Sequence, residues 1–150
     1  MNRKLAAMAL VGCLAGWTPA MAMTDAECAS EFKAADRNND GMLSESEATR
    51  YFAAMRVANR PIANNTMSQA DFINHCKADV YKVSKPEQGA PLAGANSFTE
   101  GQAKDRVLAH GYTSVSELKK DEKGVWRGTA SENAKSVQIA VDYKGNVVAN

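Results

Sequence analysis

Residues 36–47 constrain this chain more than any other stretch. They read Asp36-Arg37-Asn38-Asn39-Asp40-Gly41-Met42-Leu43-Ser44-Glu45-Ser46-Glu47. Side-chain oxygens recur on alternate residues at Asp36, Asn38 and Asp40, Gly41 permits a sharp turn, and Glu47 closes the run. A hard cation such as calcium takes about six to eight oxygen ligands in flexible geometry. In such a loop Met42 lends a backbone carbonyl, Ser44 a hydroxyl or a bridging water, and Glu47 both carboxylate oxygens. Runs of Asp, Asn and Gly are usually solvated turns. Five specified positions, however, coincide by chance in only about one chain of this length in several thousand. A calcium loop is therefore the expected reading.

The flanks suit a loop between two helices. Thr24-Asp25-Ala26-Glu27 is a capping box, after which Cys28, Phe32 and Ala35 share one face at helical spacing. That helix runs directly into Asp36. Beyond the loop, Ser44 caps a second helix with Glu47 at its third position, and Ala48, Tyr51, Phe52 and Met55 form its apolar face. Leu43 is expected to pair with a partner loop through a short β-bridge. Thr66 to Phe72 parallels Met42 to Ala48, aligning Met67 with Leu43, Ser68 with Ser44 and Asp71 with Glu47. Continued backwards, the alignment sets Arg60 and Ile62 where the first loop has Asp36 and Asn38, and Asn65 where it has glycine, with Pro61 intruding. Residues 60–71 are thus expected to be a structural half-site without metal, Asp71 being a methylene too short to close one. The last helix of this unit is expected over Ser68–Tyr81, with Phe72, Ile73, Cys76 and Val80 as its apolar stripe.

Over about residues 24–81 the chain resembles the EF-hand family, most specifically at 36–47. The resemblance implies an all-α EF-hand pair with a degenerate second half, binding calcium through Asp36, Asn38, Asp40, Met42, Ser44 and Glu47. In a paired unit the first and fourth helices lie side by side, which implies that Cys28 and Cys76 can meet. In an oxidising compartment an even pair favours a bridge; two free buried thiols are the alternative. A bridge between them would stabilise by about 4 kcal/mol in the chain-entropy model, which matters for a small unit with a marginal core. Zinc is not indicated: His75 adjoins Cys76, but no C-x-x-C or paired-histidine spacing exists.

Residues 1–22 are expected to be a secretory signal peptide. Arg3 and Lys4 precede an apolar run from Leu5 to Gly16, and Ala20-Met21-Ala22 forms a small-x-small cleavage site. The competing reading is a lipobox at Leu10-Val11-Gly12-Cys13, with lipid on Cys13. No transmembrane segment is expected once residues 1–22 are removed. Their removal takes two of the 18 Lys and Arg residues and none of the 17 Asp and Glu residues, so the net charge moves from +1 to −1. No basic face is indicated in the sequence, and nucleic acid is not an expected partner.

Ser84, Lys85, Pro86, Gly89, Pro91 and Gly94 punctuate 83–96, the expected linker between a 23–82 unit and a 97–150 unit. Thr99 caps a helix with Gln102 three residues on and Phe98 as a staple; Ala103, Val107 and Leu108 form its buried face and Gly111 stops it. Strands are expected at Val115–Lys119, Val125–Ala130 and Ser136–Tyr143, with Lys144-Gly145-Asn146 turning into Val147-Val148. Trp126 is expected to pack on the sheet under the helix, with an exposed partner-binding aromatic as the alternative. Asp142 and Glu132 are expected to be solvated, and Lys119, Lys120 and Lys123 to mark an exposed strand end.

This half is similar to PepSY-type domains at Thr99–Ala103, Gly111-Tyr112, Gly124–Gly128 and Val141–Val147. The resemblance implies a secreted or periplasmic module that restrains or chaperones a peptidase. The expected fold class is α+β: an all-α EF-hand pair followed by one helix on a small antiparallel sheet. The expected function is a periplasmic or secreted calcium-binding protein whose C-terminal module binds a protein, with a peptidase inhibitor or chaperone holding only structural calcium as the alternative. No nucleophile with a base, phosphate loop or paired catalytic carboxylates outside the calcium loop is present in the sequence; His75 and His110 have no sequence-level partner, and an enzyme is not expected.

Overall fold

In the computed structural model, which describes residues 22–150, Thr24 opens helix α1 (Asp25–Ala35). Its N–H donates to Glu27 Oε2 at 2.7 Å, and its hydroxyl oxygen accepts the Glu27 N–H at 3.3 Å. The Cys13 lipobox and all but the last residue of the expected signal peptide lie outside the described residues. Strand β1 (Met42–Ser44) leads into α2 (Glu45–Val57), and β2 (Thr66–Ser68) leads into α3 (Gln69–Lys77). The two short strands pair antiparallel with Leu43 opposite Met67, as the alignment of the two loops predicts. Both side chains are buried, so the pair fixes the loops against a common core.

The expectation of four helices here is wrong. Helix α2 leaves the first loop and enters the second, so this unit has three. It ends when Asn59 takes a left-handed φ of 52°, with the Asn59 and Arg60 N–H groups bonding back to Arg56 O and Met55 O. Paired back-bonds around a left-handed residue satisfy the last carbonyls and stop a helix. The same device ends α3 at Lys77 rather than Tyr81: Asp79 has φ 56°, and Asp79 and Val80 bond back to Cys76 O and His75 O. Tyr81 then folds into the core at 7% exposure. Helices α1 and α3 lie together, joined by the Cys28–Cys76 disulfide with Cα atoms 6.0 Å apart.

The C-terminal half carries α4 (Glu100–Ala109) and a four-stranded antiparallel sheet, β3 (Lys119–Lys120), β4 (Trp126–Glu132), β5 (Lys135–Val141) and β6 (Val147–Ala149), in sequence order. The fold class is therefore α+β. The expected Val115–Lys119 strand is reduced to Lys119–Lys120. Ser116 Oγ takes the Thr129 N–H at 2.9 Å and the Leu118 N–H turns away to Glu100 Oε1, so the ladder is interrupted there. Trp126 is half-buried in the sheet core, and its indole N–H donates to Phe98 O at 3.2 Å.

Helix α4 belongs to both halves. Ala103 and Val107 pack into the sheet core with Leu118, Ile139 and Val141. Leu108 and Ala109 instead join the helical core with Ala53 and Ala54 of α2. Arg56 of α2 pairs with Asp105 of α4 at 2.8 Å and with Glu45 at 2.8 Å. Residues 83–96 form no helix or strand but are tied to the sheet's turns. The Leu92 N–H donates to Asp142 Oδ2, the Glu87 N–H to Asn146 Oδ1, and the Gly94 N–H to Lys123 O.

Asp142, expected to be solvated, is fully buried. Its Oδ1 accepts the N–H groups of Lys144 and Asn146, each at 3.0 Å, and its Oδ2 accepts Leu92 N–H and Asn146 Nδ2, each at 2.9 Å. Burial raises its pKa, but the four donors outweigh that and hold the carboxyl below the usual carboxylate range. The carboxylate thus fastens the β5–β6 turn and the 83–96 segment together. Asp142→Asn turns an NH2 group toward these donors and should cost about 2 kcal/mol, read as a lower denaturant midpoint at pH 7. A depressed folded value means that the contribution is complete above about pH 4 and fades as pH falls through the folded value. The variant should lose that part of the acid slope.

Candidate metal centre

The loop between α1 and α2 is organised by its own carboxylates. Asp36 caps α1 and is 7% exposed; its Oδ1 accepts the Asp40 N–H at 3.2 Å and its Oδ2 the Gly41 N–H at 3.0 Å. Asn38 Oδ1 also accepts the Asp40 N–H at 2.9 Å, and Asn38 Nδ2 donates to Asp40 Oδ2 at 3.0 Å. Asp40 Oδ1 accepts the Met42 N–H at 2.8 Å. Glu47 spans the ends of the loop. Its Oε1 accepts the Asn38 N–H at 3.3 Å, while Oε2 accepts the Ser44 N–H at 3.1 Å and the Ser44 hydroxyl at 2.5 Å. All six sequence-predicted residues, Asp36, Asn38, Asp40, Met42, Ser44 and Glu47, thus belong to one hydrogen-bonded network. The Ser44 hydroxyl is the main cause holding the Glu47 carboxyl below its ordinary value, followed by the Ser44 N–H.

Two features of the loop escape the motif. Arg37 Nη2 donates to Ser46 O at 3.0 Å and to Glu47 O at 3.4 Å, binding the second residue of the loop to its end. Asn39 has a left-handed φ of 57°, so the turn bends there as well as at Gly41, where φ is 80°. Asn readily adopts this conformation, and the Asn38-Asn39 pair is the signal in the sequence.

The donors fit a hard divalent cation. Every candidate side-chain ligand is an oxygen, the preference of calcium rather than of zinc or copper. Among the described residues, none of Asp36, Asp40 and Glu47 forms an ion pair with a basic side chain. The donor set is mixed, with three carboxylates among an amide, a hydroxyl and a carbonyl. No cluster of three or more His, Cys, Asp or Glu side chains in metal-binding arrangement occurs among the described residues.

The second loop keeps a left-handed residue at the glycine position but not these donors, and it forms a 3-10 turn over Ala63–Asn65. Asn65 stands at the glycine position with φ 53°. Asp71, at the Glu47 position, is exposed and accepts the Ser68 hydroxyl at 2.7 Å. Comparison with family models, with curated proteins and with solved structures gives no match for this chain.

Gly41 isolates the backbone contribution, because a Cβ there would meet nothing within 4 Å. Gly41→Ala should therefore cost only the left-handed strain, about 1–2 kcal/mol, measured as metal-free unfolding in urea. An unchanged midpoint would mean that the loop does not need that conformation.

Proposed function

We propose that this chain is a calcium-binding protein of the periplasm or the secreted space, built on an EF-hand pair with one competent loop. Asp36, Asn38, Asp40 and Glu47 would hold the ion with their side chains, Met42 with its carbonyl, and Ser44 directly or through water. The ion would neutralise a short anionic loop and stiffen the junction of α1 and α2. Residues 60–71 would act as the metal-free partner that covers the first loop. The observation that carries the reading is a twelve-residue loop whose three ligand-position carboxylates, Asp36, Asp40 and Glu47, form no ion pair among the described residues, while its fourth, Glu45, turns away to Arg56. The Cys28–Cys76 bridge supports an oxidising location outside the cytoplasm, and no helix among the described residues is long and apolar enough to cross a membrane. Cleavage after Ala22 would release the protein, whereas lipid on Cys13 would tether it.

The C-terminal unit is proposed as a protein-interaction module similar to PepSY domains, acting on a secreted or periplasmic protein such as a peptidase. In the alternative form, calcium is only structural and the inhibitory or chaperone role is primary. The shared helix α4 favours coupling of the two parts, because α2 runs from Glu47 to the α4 contact. The molecule is read as a binding protein and not as an enzyme.

Calorimetry on the full chain tests the metal site. Calcium should bind at one site with a dissociation constant on the order of 10⁻⁴ to 10⁻³ M, the range of extracellular modules, or somewhat tighter because the disulfide rigidifies α1. Glu47→Gln removes a charged bidentate ligand and should weaken binding by at least about tenfold. Equal heats from the two proteins would exclude the site.

A further inference from the structure

A cleft of about 620 Å³ lies where the two halves meet, within the size range of ligand sites. Small side chains open it: Ala54 and Ala58 on and after α2, Ala78 after α3 and Ala109 on α4. Five lysines and arginines line it against two carboxylates, Asp79 and Glu87. Both carboxylates are already paired, with Lys82 at 3.6 Å and Lys144 at 2.7 Å. Arg60, Lys85 and Arg106 are left without an acidic partner among the described residues. On a chain of nearly zero net charge, this is a local excess of one sign.

Arg106 is held in place. Its guanidinium lies 3.8 Å over the centre of the Phe98 ring, and Nη1 donates to Gln102 O at 3.2 Å. The β5–β6 turn leaves room for it, since a Cβ on Gly145 would fall 2.6 Å from Arg106 Nε. Burial pulls its pKa down, offset in part by the charge of Asp105, so the guanidinium is partly desolvated. An incoming carboxylate would relieve that cost, and a fixed guanidinium suits a planar carboxylate. His110, also in the cleft, is pulled below its ordinary value by burial and then by Arg50, so it adds no charge at neutral pH.

We propose that this cleft binds an acidic peptide segment, its carboxylates on Arg106, Arg60 and Lys85 and its apolar side chains on the floor formed by Val57, Val80 and Ala109. The inference gives the protein-interaction part of the proposed function a surface and a ligand chemistry and rests on that part. It does not depend on calcium at the loop.

The probe is an acetylated, amidated four-residue peptide with two central glutamates flanked by leucines, titrated calorimetrically into the full chain. Its glutamine counterpart and inorganic phosphate are titrated alongside. The glutamate peptide should bind saturably, and the glutamine peptide about tenfold or more weakly. Arg106→Gln should weaken binding about tenfold, and Arg60→Gln and Lys85→Gln about threefold each. Lys135→Gln, on an exposed strand end outside the cleft, should change nothing. Arg60 and Lys85 are exposed, so their variants test the site even if Arg106→Gln impairs folding. No saturable binding at millimolar peptide, equal affinity for the glutamine peptide, or indifference to all three substitutions would overturn the proposal. Tighter binding of phosphate than of peptide would also overturn it. Calcium heats measured on the same samples separate failure of this site from failure of the metal loop.

Discussion

Asp36, Asp40 and Glu47 repel one another on one short loop, and the loop holds them by turning its own N–H groups inward. Asp36 accepts from Asp40 and Gly41, Asp40 from Met42, and Glu47 from Asn38 and Ser44. This arrangement sets the directions of the helices on either side. Asp36 caps the end of α1 and Glu47 sits in the first turn of α2, so the hydrogen-bonded loop ties the two helix ends together. The Leu43–Met67 pair then carries the geometry to the second loop and so to α3. The disulfide closes the circuit by returning α3 to α1.

Helix α2 transmits the same geometry to the C-terminal half. It has one face in the helical core and meets α4 at Ala53 and Ala54, with Arg56 bridging to Asp105. Helix α4 in turn presents Ala103 and Val107 to the sheet. Two small cores, each marginal alone, are thus joined through a single helix with two buried faces. Asp142 secures the other connection by taking the Leu92 N–H of the 83–96 segment. The cleft lies between these two attachments, which explains why its lining comes from α2, the segment after α3, α4 and the β5–β6 turn.

Local signals are the most legible part of the sequence. The capping boxes at Thr24 and Thr99 depend on residues within a few positions of one another, and the Leu43–Met67 register follows from the parallel between two short segments. Helix ends are less legible where no glycine marks them: Asn59 and Asp79 take the left-handed position instead. The β4–β5 hairpin turns at Asn133-Ala134, with φ 49° and 63°, again without a glycine. Asp142 looked solvated because a buried carboxylate is expected only when its partners are known, and Leu92 is 50 residues away. Basic residues of the cleft were invisible as a group, since Arg60, Lys85, Arg106 and Lys144 are scattered along the chain. The candidate donors of the loop are legible as a group because all of them lie within twelve consecutive residues; the lack of an ion-pair partner for Asp36, Asp40 and Glu47 among the described residues is not, being a property of the fold.

Residue-resolved amide shifts during calcium titration of the full chain test the metal loop most directly. Binding at Asp36–Glu47 requires changes concentrated in that segment and at the Leu43–Met67 pair, saturating at one equivalent, with the Arg60–Asn65 stretch of the second loop little affected. Shifts scattered over surface carboxylates, or no saturable shift at millimolar calcium, would contradict it.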